Sequence, residues 1–326
     1  MTEMIRKEHV VKYQIIKVLS DGQFHSGEAL GEMLGMSRAA ISKHVKAIQT
    51  WGLDIYRVQG KGYQLSNAIE LLDQSLIQRS SQQPVELIPI IDSTNQYLLD
   101  KSKDKESGCV CVAEYQAKGR GRRGREWVSP FGANLYFSMY WKLDAGVAAA
   151  MGLSLAIGVA IVDGLESLGA KDIKLKWPND IYHHDKKLAG VLVEMSGQTG
   201  EAAHLVIGMG LNIHMSKTTD NIDQSWTNLE QVFDGNTPSR NNVVIALLAA
   251  WKRVLTEYEH KGMSELVERW NQLDNFHNQS IKLIMGNKEV YGQCKGINSQ
   301  GAILLHTEQG EEAYVGGEIS LRKADN

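Results

Sequence analysis

What the sequence has little of narrows its class before any motif is considered. Its 326 residues include only three cysteines, Cys109, Cys111 and Cys294. An odd count, with two of them two positions apart, forms no disulfide framework and no four-ligand metal pattern. They read as reduced thiols, and no protein-built metal site is expected. The first residues, with Glu3, Arg6, Lys7 and Glu8, lack the apolar core of a secretory signal, and no run reads as a membrane span. The expectation is a cytoplasmic protein with no membrane contact. Acidic residues are missing altogether from position 37 to 50. The net charge of −3 conceals that gap, because residues 1–66 sum to +3 and the remainder to −6. Contact with nucleic acid therefore belongs at the front of the chain. At 43% hydrophobic and 22% charged, the rest is an ordinary globular composition, long enough for two or three domains.

The front is a sequence of short helical patterns. Val11, Ile15, Val18 and Leu19 recur at helical spacing and stop at Ser20-Asp21-Gly22. Ser26 suits an N-cap, Ala29, Leu30, Met33 and Leu34 form an apolar stripe, and Gly35 a left-handed stop. Ser37 then caps a third helix with Ile41, Val45 and Ile48 inward, leaving Arg38, Ala39, Ser42, Lys43 and Lys46 outward. This is a helix-turn-helix with a basic second helix. Residues 55–58 and 63–65 read as two strands around Gly60-Lys61-Gly62, a wing whose Lys61 can lie against phosphates. The DNA-facing set is thus Ser37, Arg38, Ala39, Ser42, Lys43, Lys46 and Lys61.

The expected division is a winged helix-turn-helix over 1–66, a polar linker over 67–84 with some helix at 69–76, a mixed domain over 85–274 and a small β unit over 275–326. In the mixed domain strands are expected at 85–91, 109–114, 135–141, 173–177, 188–194 and 205–211. Helices are expected from Asn95, at 147–168, at 241–258 and at 264–273. The class is α+β.

One run stands apart: Lys118-Gly119-Arg120-Gly121-Arg122-Arg123-Gly124-Arg125, followed by Glu126 and Trp127. Five cations among three glycines cannot be buried as a core and have little reason to form a helix or a central strand. Glycine amides approach an anion closely and arginine forks match carboxylate or phosphate oxygens, so an anionic ligand fits. By itself the run also fits a solvated segment or loose nucleic-acid contact.

Five blocks in order identify a family resemblance: Asp-Ser-Thr-Asn (92–95), Gly-Arg-Gly-Arg-Arg-Gly-Arg (119–125), Ser-Pro-Phe-Gly-Ala-Asn-Leu-Tyr (129–136), Lys-Trp-Pro-Asn-Asp (176–180) and Lys-Leu-Ala-Gly-Val-Leu-Val-Glu (187–194). Over nearly the whole chain the sequence resembles the biotin protein ligases, and its winged helix resembles their bifunctional biotin operon repressor branch. The resemblance implies a central domain related to class II aminoacyl-tRNA synthetase-like folds and a C-terminal SH3-like β-barrel. It implies that biotin and ATP, with Mg2+, give biotinyl-5′-AMP, from which biotin passes to a lysine of the biotin carboxyl carrier protein of acetyl-CoA carboxylase. It implies also that biotinyl-5′-AMP is a corepressor, promoting a homodimer that binds operator DNA of the biotin biosynthesis operon.

Residue by residue, the resemblance places Lys187 on the biotin carboxylate and acyl phosphate, and Ser93, Thr94, Asn95 and Gln116 around biotin. Gly119, Arg120, Gly121, Arg122 and Arg123 become an anion clamp, expected to order over its ligand, and Trp127 the adenine-side indole. Asn179 and Asp180 stand where phosphate or Mg2+ is in reach, with Asp180 orienting the incoming amine, and Asn212 and Arg322 reach the nucleotide. The catalytic set is Lys187, Arg122 and Asp180. A lipoyl ligase and a non-catalytic biotin-responsive repressor are the rivals; the glycine-arginine run argues against the first, and the intact run with Lys187 against the second.

Overall fold

The computed structural model describes residues 6–197, 201–215, 224–316 and 319–324; Glu3, part of the terminal charge pattern, lies outside them. Its front is three helices, α1 (Lys7–Leu19), α2 (Gly27–Leu34) and α3 (Arg38–Gln49). Ser26 and Ser37 accept from the Ala29 and Ala40 amides at 3.0 and 3.2 Å, satisfying donors a helix start leaves unpaired. Ile41, Val45 and Ile48 are buried with Ile15, Ile16, Leu19 and Leu30. Strands β1 (Ile55–Val58) and β2 (Gly62–Leu65) pair antiparallel across the Gly60-Lys61 turn. Arg38, Ala39, Lys43, Lys46 and Lys61 are exposed and Ser42 is half-buried.

The polar stretch after this unit is a packed strap, and its helix is later than expected: α4 (Gln74–Ser81) begins after Asp73, whose side chain accepts from the Leu76 amide at 3.0 Å. Leu72 and Ile77 enter the main core, and the Leu72 N–H donates to buried Glu114 at 2.7 Å. Composition read it as linker because Arg79, Ser80, Gln82 and Gln83 outnumber those two anchors.

The single strand expected over 85–91 is two, β3 (Val85–Leu87) and β4 (Ile90–Ile91), separated by Ile88 and Pro89, which has no N–H for a ladder. There follow α5 (Thr94–Asp100), β5 (Val110–Ala113), β6 (Tyr115–Gln116), β7 (Asn134–Leu143), α6 (Leu153–Glu166), β8 (Ile173–Lys176), β9 (Asp180–His183), β10 (Lys186–Ser196) and β11 (Ala203–Asn212). The helix expected to run from Val147 starts at Leu153: residues 147–150 form a 3-10 turn, and Gly152 at φ 84 breaks the path. Next come α7 (Leu229–Val232), α8 (Arg240–Lys261) and α9 (Val267–Leu273), a 3-10 turn over 264–266 replacing the first part of the last expected helix. Strands β12 (Ser280–Met285), β13 (Lys288–Ile297), β14 (Ile303–Thr307), β15 (Gly310–Tyr314) and β16 (Ile319–Lys323) complete the chain. The short elements β9, α7 and β16 carry too little periodicity to have been read from sequence.

The central sheet runs β3-β5-β7-β11-β10-β9-β8, and β12 to β16 form a separate five-stranded antiparallel SH3-like unit. Strand alternation gives the central sheet two faces. Val110, Val112, Phe137, Met139, Leu205 and Ile207 pack with α6 and α8, where Phe137 meets Trp251 at 4.7 Å between ring centroids. Cys111, Tyr140 and Val206 pack under Leu98 of α5 on the other face. Further along β11 on that second face come Gly208 and Gly210, and Gly190 of β10 pairs with Gly210. The sheet is therefore bare of side chains where the cavity lies.

Candidate functional site

Three glycines make the floor because anything larger would collide with what lies over it. A Cβ on Gly208 would fall 1.9 Å from Asn95 Oδ1, and one on Gly210 would fall 2.2 Å from Cε2 of Trp127. The Trp127 indole thus lies flat against the sheet, its buried Nε1–H without a hydrogen-bond partner among the described residues.

One wall is the start of α5. Ser93 caps the helix, accepting from the Gln96 amide at 3.4 Å, and Thr94 donates its N–H and its hydroxyl to Gln116 Oε1 at 2.9 and 3.1 Å. Asn95 turns inward: its Nδ2 donates to Glu194 at 2.8 Å, and its Oδ1 accepts from Ser138 at 2.5 Å. Ser93, Thr94, Asn95 and Gln116 all line the cavity.

The roof is the glycine-arginine run. Its backbone folds into a tight hairpin, Gly121 N–H donating to Arg125 O at 2.7 Å and Trp127 N–H to Gly119 O at 2.9 Å. Arg123 takes φ 59, in the left-handed region. Three arginines then reach in three directions: Arg120 to Glu194 at 2.8 Å, Arg122 to Asn179 Oδ1 at 2.9 Å and Arg123 to Ser320 of β16 at 2.8 Å. The last of these joins the run to the C-terminal unit. Glu126 pairs with Arg120 through the backbone.

The far wall carries Lys187, whose ammonium lies 2.7 Å from an Asp180 carboxylate oxygen and 5.4 Å from the centroid of the Trp127 ring. A register shift between Lys187 and Ala189 in the β9–β10 ladder sets this side chain against its neighbours. Asn179 is fixed at the same end by donating to Val191 O at 2.6 Å. With Asn179 on Arg122 and Asp180 on Lys187, neither presents a free cradle for a metal. Among the described residues no group of three His, Cys, Asp or Glu is arranged to hold one.

Of the expected site residues, Arg322 also lines the cavity, from β16. Gly119 sits just behind, where a Cβ would meet Trp127 O at 2.5 Å. Asn212 is not brought in: it is 4% exposed, and its Nδ2 donates to Thr227 O at 3.0 Å. Sequence reading missed Lys176, Glu194, Ser320 and the glycine floor. Lys176 opens one of the quoted blocks and Glu194 closes another, so their positions were visible while their contacts were not. Among the described residues, seven cationic side chains stand around the cavity against two acidic ones, Glu126 and Asp180. Such an enclosure stabilises a phosphate or carboxylate group and the charge it develops in reaction.

The winged helix docks against the roots of this roof. Trp51, just past α3, stacks on Phe131 at 6.3 Å and lies 5.3 Å from Tyr115, so it touches both stems of the run. The Phe131 N–H donates to Trp51 O at 2.8 Å.

Known proteins resemble this chain in sequence and fold. Residues 87–212 match the biotin/lipoate A/B protein ligase family, residues 11–64 an HTH domain and residues 276–322 the biotin protein ligase C-terminal domain. The chain is 50% identical to the bifunctional ligase/repressor BirA of Salmonella typhimurium, over 98% of this chain and 100% of that protein. It is 47% identical to its Escherichia coli counterpart, over 98% and 99%. The biotin protein ligase from Aquifex aeolicus, solved in complex with biotin and ATP, superposes with a TM-score of 0.66 at 29% identity, covering 74% of this chain and 99% of that one. No helix of the described residues is long and apolar enough to cross a membrane. With a glycine-floored anion cavity, a basic winged helix and full-length likeness all in one chain, the protein belongs to the biotin/lipoate A/B protein ligase family, in its bifunctional ligase/repressor branch.

Proposed function

We propose that the chain activates biotin with ATP and passes the biotinyl group to a lysine of the biotin carboxyl carrier protein of acetyl-CoA carboxylase, retaining the adenylate as a signal when no acceptor is present. In the first step a biotin carboxylate oxygen attacks the α-phosphorus, the bond to pyrophosphate breaks and biotinyl-5′-AMP remains. Two anions must meet, so the cations around the cavity lower the barrier by cancelling their repulsion. Lys187 holds the carboxylate and the acyl phosphate, Arg122 the phosphates, and Trp127 the adenine side. Mg2+ arrives on the ATP phosphates and supplies charge neutralisation there. In the second step the acceptor amine attacks the acyl carbon, AMP leaves and the amine nitrogen gives up a proton; Asp180, beside Lys187, orients that amine. The run from Gly119 to Arg125 closes over the mixed anhydride and keeps water from it.

The single observation that carries this reading is the convergence of Arg122, Lys187 and Trp127 over bare glycine backbone. Residues 1–66 form the DNA-binding domain, 67–84 the connection, 85–274 the catalytic domain and 275–326 the C-terminal domain. One winged helix covers too little DNA for tight specific binding, so the repressor is a homodimer on a palindromic operator, favoured by biotinyl-5′-AMP through linkage. Three buried free thiols suit the reducing cytoplasm.

Purified protein, labelled biotin, ATP, Mg2+ and a biotin carrier domain should give label on the carrier. No transfer, or transfer of lipoate in its place, overturns the ligase reading. Operator retardation should strengthen with biotinyl-5′-AMP, and retardation indifferent to it overturns the corepressor role. Arg38→Ala and Lys43→Ala should each weaken operator binding and lower its salt slope by about one.

A further inference from the structure

Lys176 is a charged side chain to which the proposed mechanism assigns no individual role. It closes β8 and is 7% exposed, yet it lines the cavity. Its ammonium donates to a neutral group, the Tyr182 hydroxyl at 2.9 Å, and lies over the rings of Tyr182 and Phe276 at 5.0 and 5.9 Å. The acid that acts on it, Asp180, is paired with Lys187 at 2.7 Å. Arg322, Lys187 and Arg125 add positive charge around it. Among the described residues this buried ammonium has no anion of its own; such a group, with three donors, is costly to keep, and removing its proton relieves the cost.

We propose that Lys176 is a nucleotide ligand completed by the phosphate chain, so that nucleotide binding draws a proton onto its side-chain nitrogen. This rests on the ATP-dependent ligase reading. In the free protein burial pushes Lys176 down to about 8; Asp180 pulls it upward, while Arg322, Lys187 and Arg125 push it further down. Phosphate oxygens entering the cavity supply the missing anion and raise its proton affinity. Below about pH 7 the group is already charged and binding takes up nothing; above that, uptake grows as the free side chain empties. A proton from solvent ends on Nζ, and no other bond changes. The nucleotide then pairs with a full charge at a position that would otherwise be partly neutral, and the free protein avoids part of the strain of seven cations around one cavity.

The test is titration calorimetry of the full chain with biotin, Mg2+ and α,β-methylene ATP, an analogue that cannot release pyrophosphate, in buffers of differing ionisation enthalpy. Expected is uptake near zero at about pH 6.5, half a proton near pH 8 and approaching one at about pH 9. Lys176→Met should abolish that rise and weaken analogue binding about tenfold at neutral pH. Lys176→Arg, always charged, should abolish the rise while restoring most of the affinity. A single cooperative thermal melt in both variants verifies the fold. Uptake that is flat with pH, or that rises alike in Lys176→Met, overturns the proposal while leaving the ligase reading intact. A wild-type protein that binds no nucleotide overturns both.

Discussion

Asp92 accepts from the Arg6 guanidinium at 3.0 Å across 86 positions of sequence, a link from the residue before α1 to the residue before the α5 cap. The same carboxylate faces the Lys118 ammonium at 3.4 Å, and the Asp92 carbonyl accepts from the Lys118 N–H at 2.8 Å. Burial pushes this carboxyl upward, but Arg6 and then Lys118 outweigh it and hold it below the usual carboxylate range. One acid thus ties the winged helix to the first residue of the anion clamp.

That tie predicts coupling inside one protomer. Arg6→Ala and Asp92→Asn should each speed dissociation of biotinyl-5′-AMP by about two- to fivefold, the scale of a partly exposed ion pair. A chase of labelled adenylate measures it. Because the folded Asp92 carboxyl sits below its unfolded value, the pair's contribution persists at neutral pH and is lost as acid protonates it. Off-rates equal to wild type in both variants would show the contact to be incidental.

The glycine floor predicts a steric phenotype. Gly210→Ala places its Cβ about where Cε2 of Trp127 lies, 2.2 Å away, so the indole must move. The expected outcome is a KM for ATP or biotin raised about tenfold or more, with Tm changed by only a few degrees, since the bed is a cavity wall and not the core. Steady-state kinetics beside a thermal melt decide it, and unaltered kinetics would place the ligand elsewhere.

Charge in the far wall predicts a chemical phenotype. Lys187→Ala removes the cation from Asp180 and leaves that carboxylate facing the ligand, and adenylation should fall by about 10²–10³. Arg122→Gly should cost about tenfold or more, because Asn179 and the phosphates both lose their guanidinium. Pyrophosphate release at saturating biotin is the measurement. Wild-type rates in both would withdraw these two residues from the catalytic set.

Lys176 predicts a stability that depends on pH in an unusual direction. Its folded value, about 8, lies below the unfolded lysine value, so burial of the charged form opposes folding. The penalty is whole below about pH 8 and fades as pH rises toward about 10.5. Lys176→Met should therefore stabilise the free protein by about 2 kcal/mol at pH 7, with the advantage shrinking in alkali. Denaturant melts at several pH values test it; a destabilised Lys176→Met at pH 7 contradicts it.

Much was legible in the chain alone because local chemistry speaks locally. Ser26, Ser37 and Gly35 mark helix ends through caps and left-handed turns, and Ile41, Val45 and Ile48 mark one helix face. The run from Lys118 to Arg125 read as a loop suited to an anion, since five cations cannot be buried as a core, and only the family blocks separated that reading from a solvated segment or loose nucleic-acid contact. The family resemblance singled out Ser93, Gln116, Arg122, Asn179, Asp180 and Lys187, which all line one cavity.

What the sequence did not contain were relations between distant residues. Asn212 follows a glycine-rich strand like a ligand contact, yet its amide is spent on Thr227. Alternation in Ile173-Lys174-Leu175-Lys176 marks a strand but not that Lys176 is buried, with Tyr182 and Phe276 against its ammonium. The strap over 67–84 looked like linker because its apolar anchors are few, Leu72 and Ile77 on the main core and Ile69 and Leu71 against the winged helix. Burial depends on which segments meet across the sheet, and no single stretch of residues carries that information. Composition and local pattern determined the elements and the chemistry on offer; packing decided which side chains face a ligand and which carry an uncompensated charge.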